Sequence, residues 1–238
     1  MRHRRAQSSA EDREDTWTIV VAGGSGLRFG ERKQFASLGQ YSVLHHGVEA
    51  AKSVSSRVTV VVPADAVDHA ATLLGDDEEV VLVAGGASRA ESVRAGLATV
   101  PDNIEVVLVH DAARPLATAE LFERVVDAVR EGAAAVIPVV PVTDSIRHVD
   151  GNVVDRSSLL AVQTPQGFTG LALRQAHATE SEATDDASLV GALGHEVTTV
   201  EGESDNRKIT VQSDLVFTRA VLAARDAERK EHDVARNS

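Results

Sequence analysis

Thr18-Ile19-Val20-Val21-Ala22-Gly23-Gly24-Ser25-Gly26 is the stretch on which the fold turns. Its first half is β-branched and apolar with no polar alternation, the pattern of a strand covered on both faces. Its second half is a glycine cluster, which lets the backbone approach a ligand and aim its amides at phosphate oxygens. Outward from it, the same kind of strand recurs at Val58–Val62, Val80–Ala84, Glu105–His110 and Ala134–Val140. Amphipathic stretches at Val43–Lys52, Asp65–Leu74, Ser88–Ala98 and Thr118–Arg130 separate them and read as helices. Ser88-Arg89-Ala90-Glu91 is a capping box that fixes one helix start. Buried strands alternating with helices predict an α/β fold: a Rossmann-like, mostly parallel sheet with helices on both faces.

The pattern changes after Val140. Ser145–Val149 and Val153–Asp155 flank Asp150-Gly151-Asn152, a β-hairpin signal. An isolated hairpin is marginal in water, so it must pack on the main domain or on another subunit. Glu196–Val200 then reads as a strand and Ser213–Arg229 as a closing helix. The reading is one domain over residues 17–230, a disordered tail over 1–16 and a frayed end over 231–238.

Composition narrows the function. The 238 residues carry a net charge of -12, which argues against nucleic acid as a partner. There is no cysteine, which excludes a disulfide scaffold, a cysteine-ligated metal and a thiol nucleophile. The longest apolar run, Ala133–Val140, is broken by Pro138 and falls short of the ~20 residues of a membrane span. No apolar signal-peptide stretch follows Met1, so the expectation is a cytoplasmic protein without a membrane partner.

Against this acidic background, Arg28, Arg32 and Lys33 follow the glycine loop and mark an anion site at the carboxyl end of a strand. The loop is not a Walker loop, since no Gly-Lys-Ser/Thr closes it. Gly24, Gly26 and Gly30 are spaced one residue too far for the dinucleotide fingerprint, and no acid ends the second strand. Asp111, in Val109-His110-Asp111-Ala112-Ala113-Arg114-Pro115, ends another strand. A carboxylate there can hold Mg²⁺ against substrate phosphates. Helix capping does not require it, because Thr118 is available as the cap; His110 is read as a packed histidine. Gly85–Ser92, Thr184–Ser188 and Asn206–Thr210 add glycines, two acids and two cations. The acids also suit a plain helix start, and the cations a solvated charge pair. These residue types serve positioning and charge neutralisation in phosphoryl chemistry, without a covalent intermediate.

Taken together, AGGSGLRFG with KQF, GGASRAESVRAGL, VHDAARP, VTDSIR, VDR, QTPQGF, TDDASLV and NRKIT resemble, in order, the 2-C-methyl-D-erythritol 4-phosphate cytidylyltransferase family. The resemblance implies transfer of a cytidylyl group from CTP to a linear polyol phosphate with Mg²⁺. It implies Arg28, Lys33 and Lys208 as catalytic cations and Asp111 as the metal ligand. It puts CTP against Ala22, Gly23, Gly24, Gly26, Gly86, Ser92 and Ala112, and the acceptor against Arg114, Ser145, Arg156, Thr164 and Thr184. It makes the hairpin a protruding arm at about residues 140–160, exchanged across a homodimer so that Ser145 and Arg156 enter the neighbouring site. Two other readings are ribitol-5-phosphate cytidylyltransferase and a nucleotide-binding regulator that has lost catalysis.

Overall fold

The computed structural model describes residues 13–23, 32–179, 183 and 185–236. Strands β1 (Thr16–Val21), β4 (Arg57–Val62), β5 (Val80–Ala84) and β6 (Val106–Asp111) form the parallel heart of the main sheet. Between β1 and β4 lie the two-residue strands β2 (Ser37–Leu38) and β3 (Tyr41–Ser42), paired as a small ribbon. The rest of the sheet is β7 (Ala135–Pro141), β10 (Leu160–Val162), β11 (Gln166–Thr169) and β12 (Val197–Glu201). The order is β10-β7-β11-β6-β1-β4-β5, with β12 added to β7. β12 runs parallel to β7; β10 and β11 run antiparallel to β7, and β11 also to β6. The sheet is therefore mostly parallel with an antiparallel insertion.

Alternate residues of each central strand feed two cores, which is why nearly every position is apolar. Val20, Val58, Val60, Val106 and Leu108 pack against helices α1 (Val43–Lys52), α2 (Val67–Leu74) and α4 (Ala119–Arg130). Trp17, Ile19, Val61, Val107 and Val109 pack against α3 (Arg89–Leu97), α5 (Gly170–His177) and α6 (Asp186–Ala192). Each fully buried aliphatic side chain contributes about 1.5–3 kcal/mol. The expected α/β architecture, with helices on both faces, is the one present. A closing helix, α7 (Gln212–Arg236), follows. Among the described residues no helix is long and apolar enough to cross a membrane.

Thr16, assigned to the tail, is fully buried as the first residue of β1, and Arg13 donates to the Ser55 carbonyl at 2.9 Å. The tail over 1–12 lies outside the described residues, and the last helix continues to Arg236 instead of ending near 230. The hairpin is present as β8 (Ile146–Arg147) and β9 (Val153–Val154), separate from the main sheet. β2, β3, β10, β11 and α5 have no counterpart in the sequence reading, while α6 starts where the acids of Thr184–Ser188 suit a helix start. β11 (Gln-Gly-Phe-Thr) carries glycine at 167, where a Cβ would lie 2.5 Å from Val125 Cγ1.

Candidate active site

A cavity of about 300 Å³ opens at the carboxyl ends of β1 and β6. It is lined by Val21, Ala22, Gly23, Lys33, Gln34, Gly86, Ala87, Ser88, Arg89, Ser92, Asp111, Ala112, Ala113 and Lys208. Ligands bind in this position in open α/β sheets.

Each side chain is delivered by a buried neighbour. Lys33 begins a short 3-10 turn, Lys33–Phe35, whose next residue, Gln34, is buried. Gln34 Nε2 donates to the Ala22 carbonyl at 2.8 Å and ties the turn to the end of β1. Lys33 Nζ donates to the Ile209 carbonyl at 2.6 Å. Ile209 is itself buried with Leu38, Val43 and Leu215, and its amide donates to the Ala113 carbonyl at 2.8 Å. That anchor sets the irregular segment carrying Lys208. Arg89 opens α3 directly after the Ser88 cap, with both halves of the Ser88–Glu91 capping box formed.

Asp111 is the electrostatic centre. Lys208 Nζ lies 2.6 Å from its Oδ2, and Arg89 Nε lies 3.6 Å from its Oδ1. Burial opposes ionisation, but Lys208, Arg89 and Arg114 outweigh it and hold the carboxyl at about 2, against an ordinary 3.8. Its backbone amide donates to Thr164 Oγ1 at 3.0 Å. The same hydroxyl lies 3.2 Å from His110 Nδ1. His110 is fully buried, its ring centroid 5.0 Å from that of Phe122. It is the packed histidine expected, and burial lowers its pKa to about 4. Thr118, not Asp111, caps α4, accepting from the Leu121 amide.

Of the residues assigned from sequence, Ala22, Gly23, Lys33, Gly86, Ser92, Asp111, Ala112 and Lys208 meet in this one cavity. Gly24, Gly26, Arg28 and Thr184 lie outside the described residues. Thr164 is buried beneath Asp111. The Arg114 guanidinium braces two segments, donating to the carbonyls of Asn206 at 2.7 Å and Val162 at 3.1 Å. Ser145 and Arg156 are exposed on the arm, outside the cavity lining, and Arg156 donates to the Thr143 carbonyl. Arg32 pairs with Asp65 at 2.6 Å. Gln34 and Arg89 line the cavity as well, beyond the residues assigned from sequence. For Arg89 the signal was its place one residue after a helix cap at a strand end.

Among the described residues no three His, Asp or Glu side chains are grouped to hold a metal by themselves. Asp111 alone still fits Mg²⁺, which takes one or two carboxylates and completes its shell with water and substrate phosphate. Lys33, Lys208 and Arg89, lining one cavity with Asp111 and glycine backbone, suit a polyphosphate and can stabilise negative charge that develops on it.

The family model described as 2-C-methyl-D-erythritol 4-phosphate cytidylyltransferase (IspD) matches residues 16–224. The enzyme of that name from Rhodococcus jostii is 48% identical over 214 residues, covering 86% of this chain and 93% of the relative. The crystal structure of 2-C-methyl-D-erythritol 4-phosphate cytidylyltransferase from Thermus thermophilus aligns with TM-score 0.73 at 35% identity, covering 86% of this chain and 97% of the other. The 4-diphosphocytidyl-2C-methyl-D-erythritol synthase structure from Anaerococcus prevotii aligns with TM-score 0.77 at 29% identity, covering 88% and 99%. With its cavity at the strand ends and a family match over nearly the whole sheet, the chain belongs to the 2-C-methyl-D-erythritol 4-phosphate cytidylyltransferase family and is a nucleotidyltransferase.

Proposed function

We propose that this protein transfers the cytidylyl group of CTP to 2-C-methyl-D-erythritol 4-phosphate, giving CDP-methylerythritol and pyrophosphate. The observation that carries the reading is the convergence of Lys33, Lys208 and Asp111 on one cavity lined by Gly23 and Gly86. A phosphate oxygen of the acceptor attacks the α-phosphorus of CTP. A new P–O bond forms, the bond to the bridging oxygen breaks, and pyrophosphate leaves with that electron pair. The nucleophile is a phosphate monoester, anionic near neutral pH, so no general base is required. Lys33 and Lys208, with Arg28 by resemblance, neutralise the charge that builds on the α-phosphate.

Asp111 would hold Mg²⁺ together with the phosphates of CTP. When bound, the ion supplies charge neutralisation and fixes the phosphate geometry. Ala22, Gly24, Gly26, Ser92 and Ala112 are assigned to CTP. Arg114, Thr164 and Thr184 are assigned to the acceptor side, Thr164 through its grip on the Asp111 amide. The arm exposes Val149 and Val153, apolar surface that suits a second copy of the chain. Ser145 and Arg156 of one protomer would then complete the site of its partner.

The test is turnover with CTP and Mg²⁺, reading pyrophosphate release and the mass of the cytidylyl product. Turnover with 2-C-methyl-D-erythritol 4-phosphate is expected. Equal or faster turnover with ribitol 5-phosphate would reassign the acceptor, and no turnover with either would favour the regulator.

A further inference from the structure

Behind the cavity lies a buried chain of charge that the reaction above does not use. Asp186, in the first turn of α6, has a side chain only 1% exposed. Its Oδ1 lies 2.9 Å from His177 Nε2, on the last residue of α5. Its Oδ2 lies 2.7 Å from Arg89 Nη1. Arg89 is the cavity-lining cation, a quarter exposed, and its Nε reaches Asp111 at the longer distance of 3.6 Å. Arg89 is thus held from behind by one carboxylate while its other edge faces the site.

We propose that Asp186 is a positioning residue for nucleotide recognition: steadied by His177, it fixes the Arg89 guanidinium at the cavity edge, where Arg89 donates to a bound nucleoside triphosphate. The inference rests on the functional reading above, which makes the cavity a CTP site.

The energetics favour this over simple packing. A carboxylate taken out of water is costly, and an apolar pair of similar volume would join α3 to α6 at least as well. What an apolar pair would not do is hold a rigid fork of donors in one orientation. Without Asp186, the guanidinium would be free to swing onto Asp111, its nearest remaining carboxylate. His177 Nε2 in turn holds the other carboxylate oxygen of Asp186.

The test uses the full chain and calorimetric titration with CTP, beside thermal melts of every variant. Asp186→Asn keeps the shape and removes the charge. A lost charged hydrogen bond weakens binding on the order of tenfold, so Asp186→Asn and Arg89→Ala should each raise the Kd for CTP about tenfold. The double variant should bind no more weakly than Arg89→Ala alone, because Asp186 acts through Arg89. His177→Gln, which keeps a donor, should bind as wild type does. A purely structural role would lower the melting temperature and leave the Kd of the folded protein unmoved, which overturns the proposal. So would equal losses from Asp186→Asn with and without Arg89. If Asp186→Asn fails to fold, His177→Ala carries the same cycle: its smaller loss of affinity should vanish in the Arg89→Ala background, and persistence there refutes the idea. Failure of wild type to bind CTP would overturn the functional reading itself. Normal binding by wild type with unshifted variants overturns only the role of Asp186.

Discussion

Replacing Asp111 with Asn removes the charge on which the site is centred, and the cost can be worked from its surroundings. Burial alone would raise the carboxyl's pKa, yet Lys208, Arg89 and Arg114 bring it from 3.8 to about 2 in the folded protein. A depression of that size corresponds to about 2–3 kcal/mol of folding free energy at pH 7. The sign follows from proton binding: as pH falls, the unfolded chain takes up the proton first. The stabilisation is therefore complete above pH ~4 and is lost as the pH falls through about 2. Urea unfolding in buffer containing EDTA, with wild type and Asp111→Asn compared at each pH, reads this directly. The gap should be about 2–3 kcal/mol at pH 7 and roughly half that at pH 3. The reasoning fails if the gap is the same at both pH values, or if the variant matches wild type at pH 7. On activity, Asp111→Asn should lower kcat on the order of 10²–10³ with the fold intact at pH 7.

Lys33→Ala should cost a comparable factor in kcat, on the order of 10², whereas Arg32→Ala should leave it near normal because Arg32 is paired with Asp65 away from the cavity. The reverse order would transfer the role to Arg32. EDTA should abolish turnover and excess Mg²⁺ restore it; turnover that survives chelation removes Asp111 as a metal ligand. Lys33→Ala and Arg156→Ala chains, co-refolded in equal amounts, should regain about a quarter of wild-type activity if the arm crosses to a partner. Half the dimers are then mixed, and each of these holds one intact site. A mixture that gives only the average of the two variants places both residues in one subunit's site.

How much of the fold could be read beforehand depends on where each strand's partners lie. β1, β4, β5 and β6 are flanked on both faces by helices, so Val and Ile fill nearly every position and the run is legible alone. β10 and β11 carry no such signature. Leu160 and Val162 are exposed, and β11 is a four-residue strand containing Gly167, defined by its register with β6 and β7. α5 is short and starts from a cap, Thr169, that looks from sequence like an ordinary polar loop residue. The reading of Thr184–Ser188 as a helix start was correct for Asp185, which accepts from the Ser188 amide.

The site divides in the same way. Gly23, Gly86 and Asp111 stand at or just beyond strand ends, where chain topology alone puts them near a ligand. The two neighbouring acids Asp185 and Asp186 look equivalent in sequence, yet one caps a helix at the surface and the other is buried against Arg89 and His177. Only the packing of α5 and α6 on α3 separates them. Arg114 makes the same point from the opposite side. A cation three residues after the candidate metal ligand invites a role with substrate phosphate. Its guanidinium also joins the carbonyls of Val162 and Asn206, and Asn206 Nδ2 reaches on to the Thr164 carbonyl. These bonds tie the segment that carries Lys208 to the strand end that carries Asp111. Arg114 thus braces the segment leading to Lys208 through Asn206, a contact that nothing local to Arg114 in the sequence encodes.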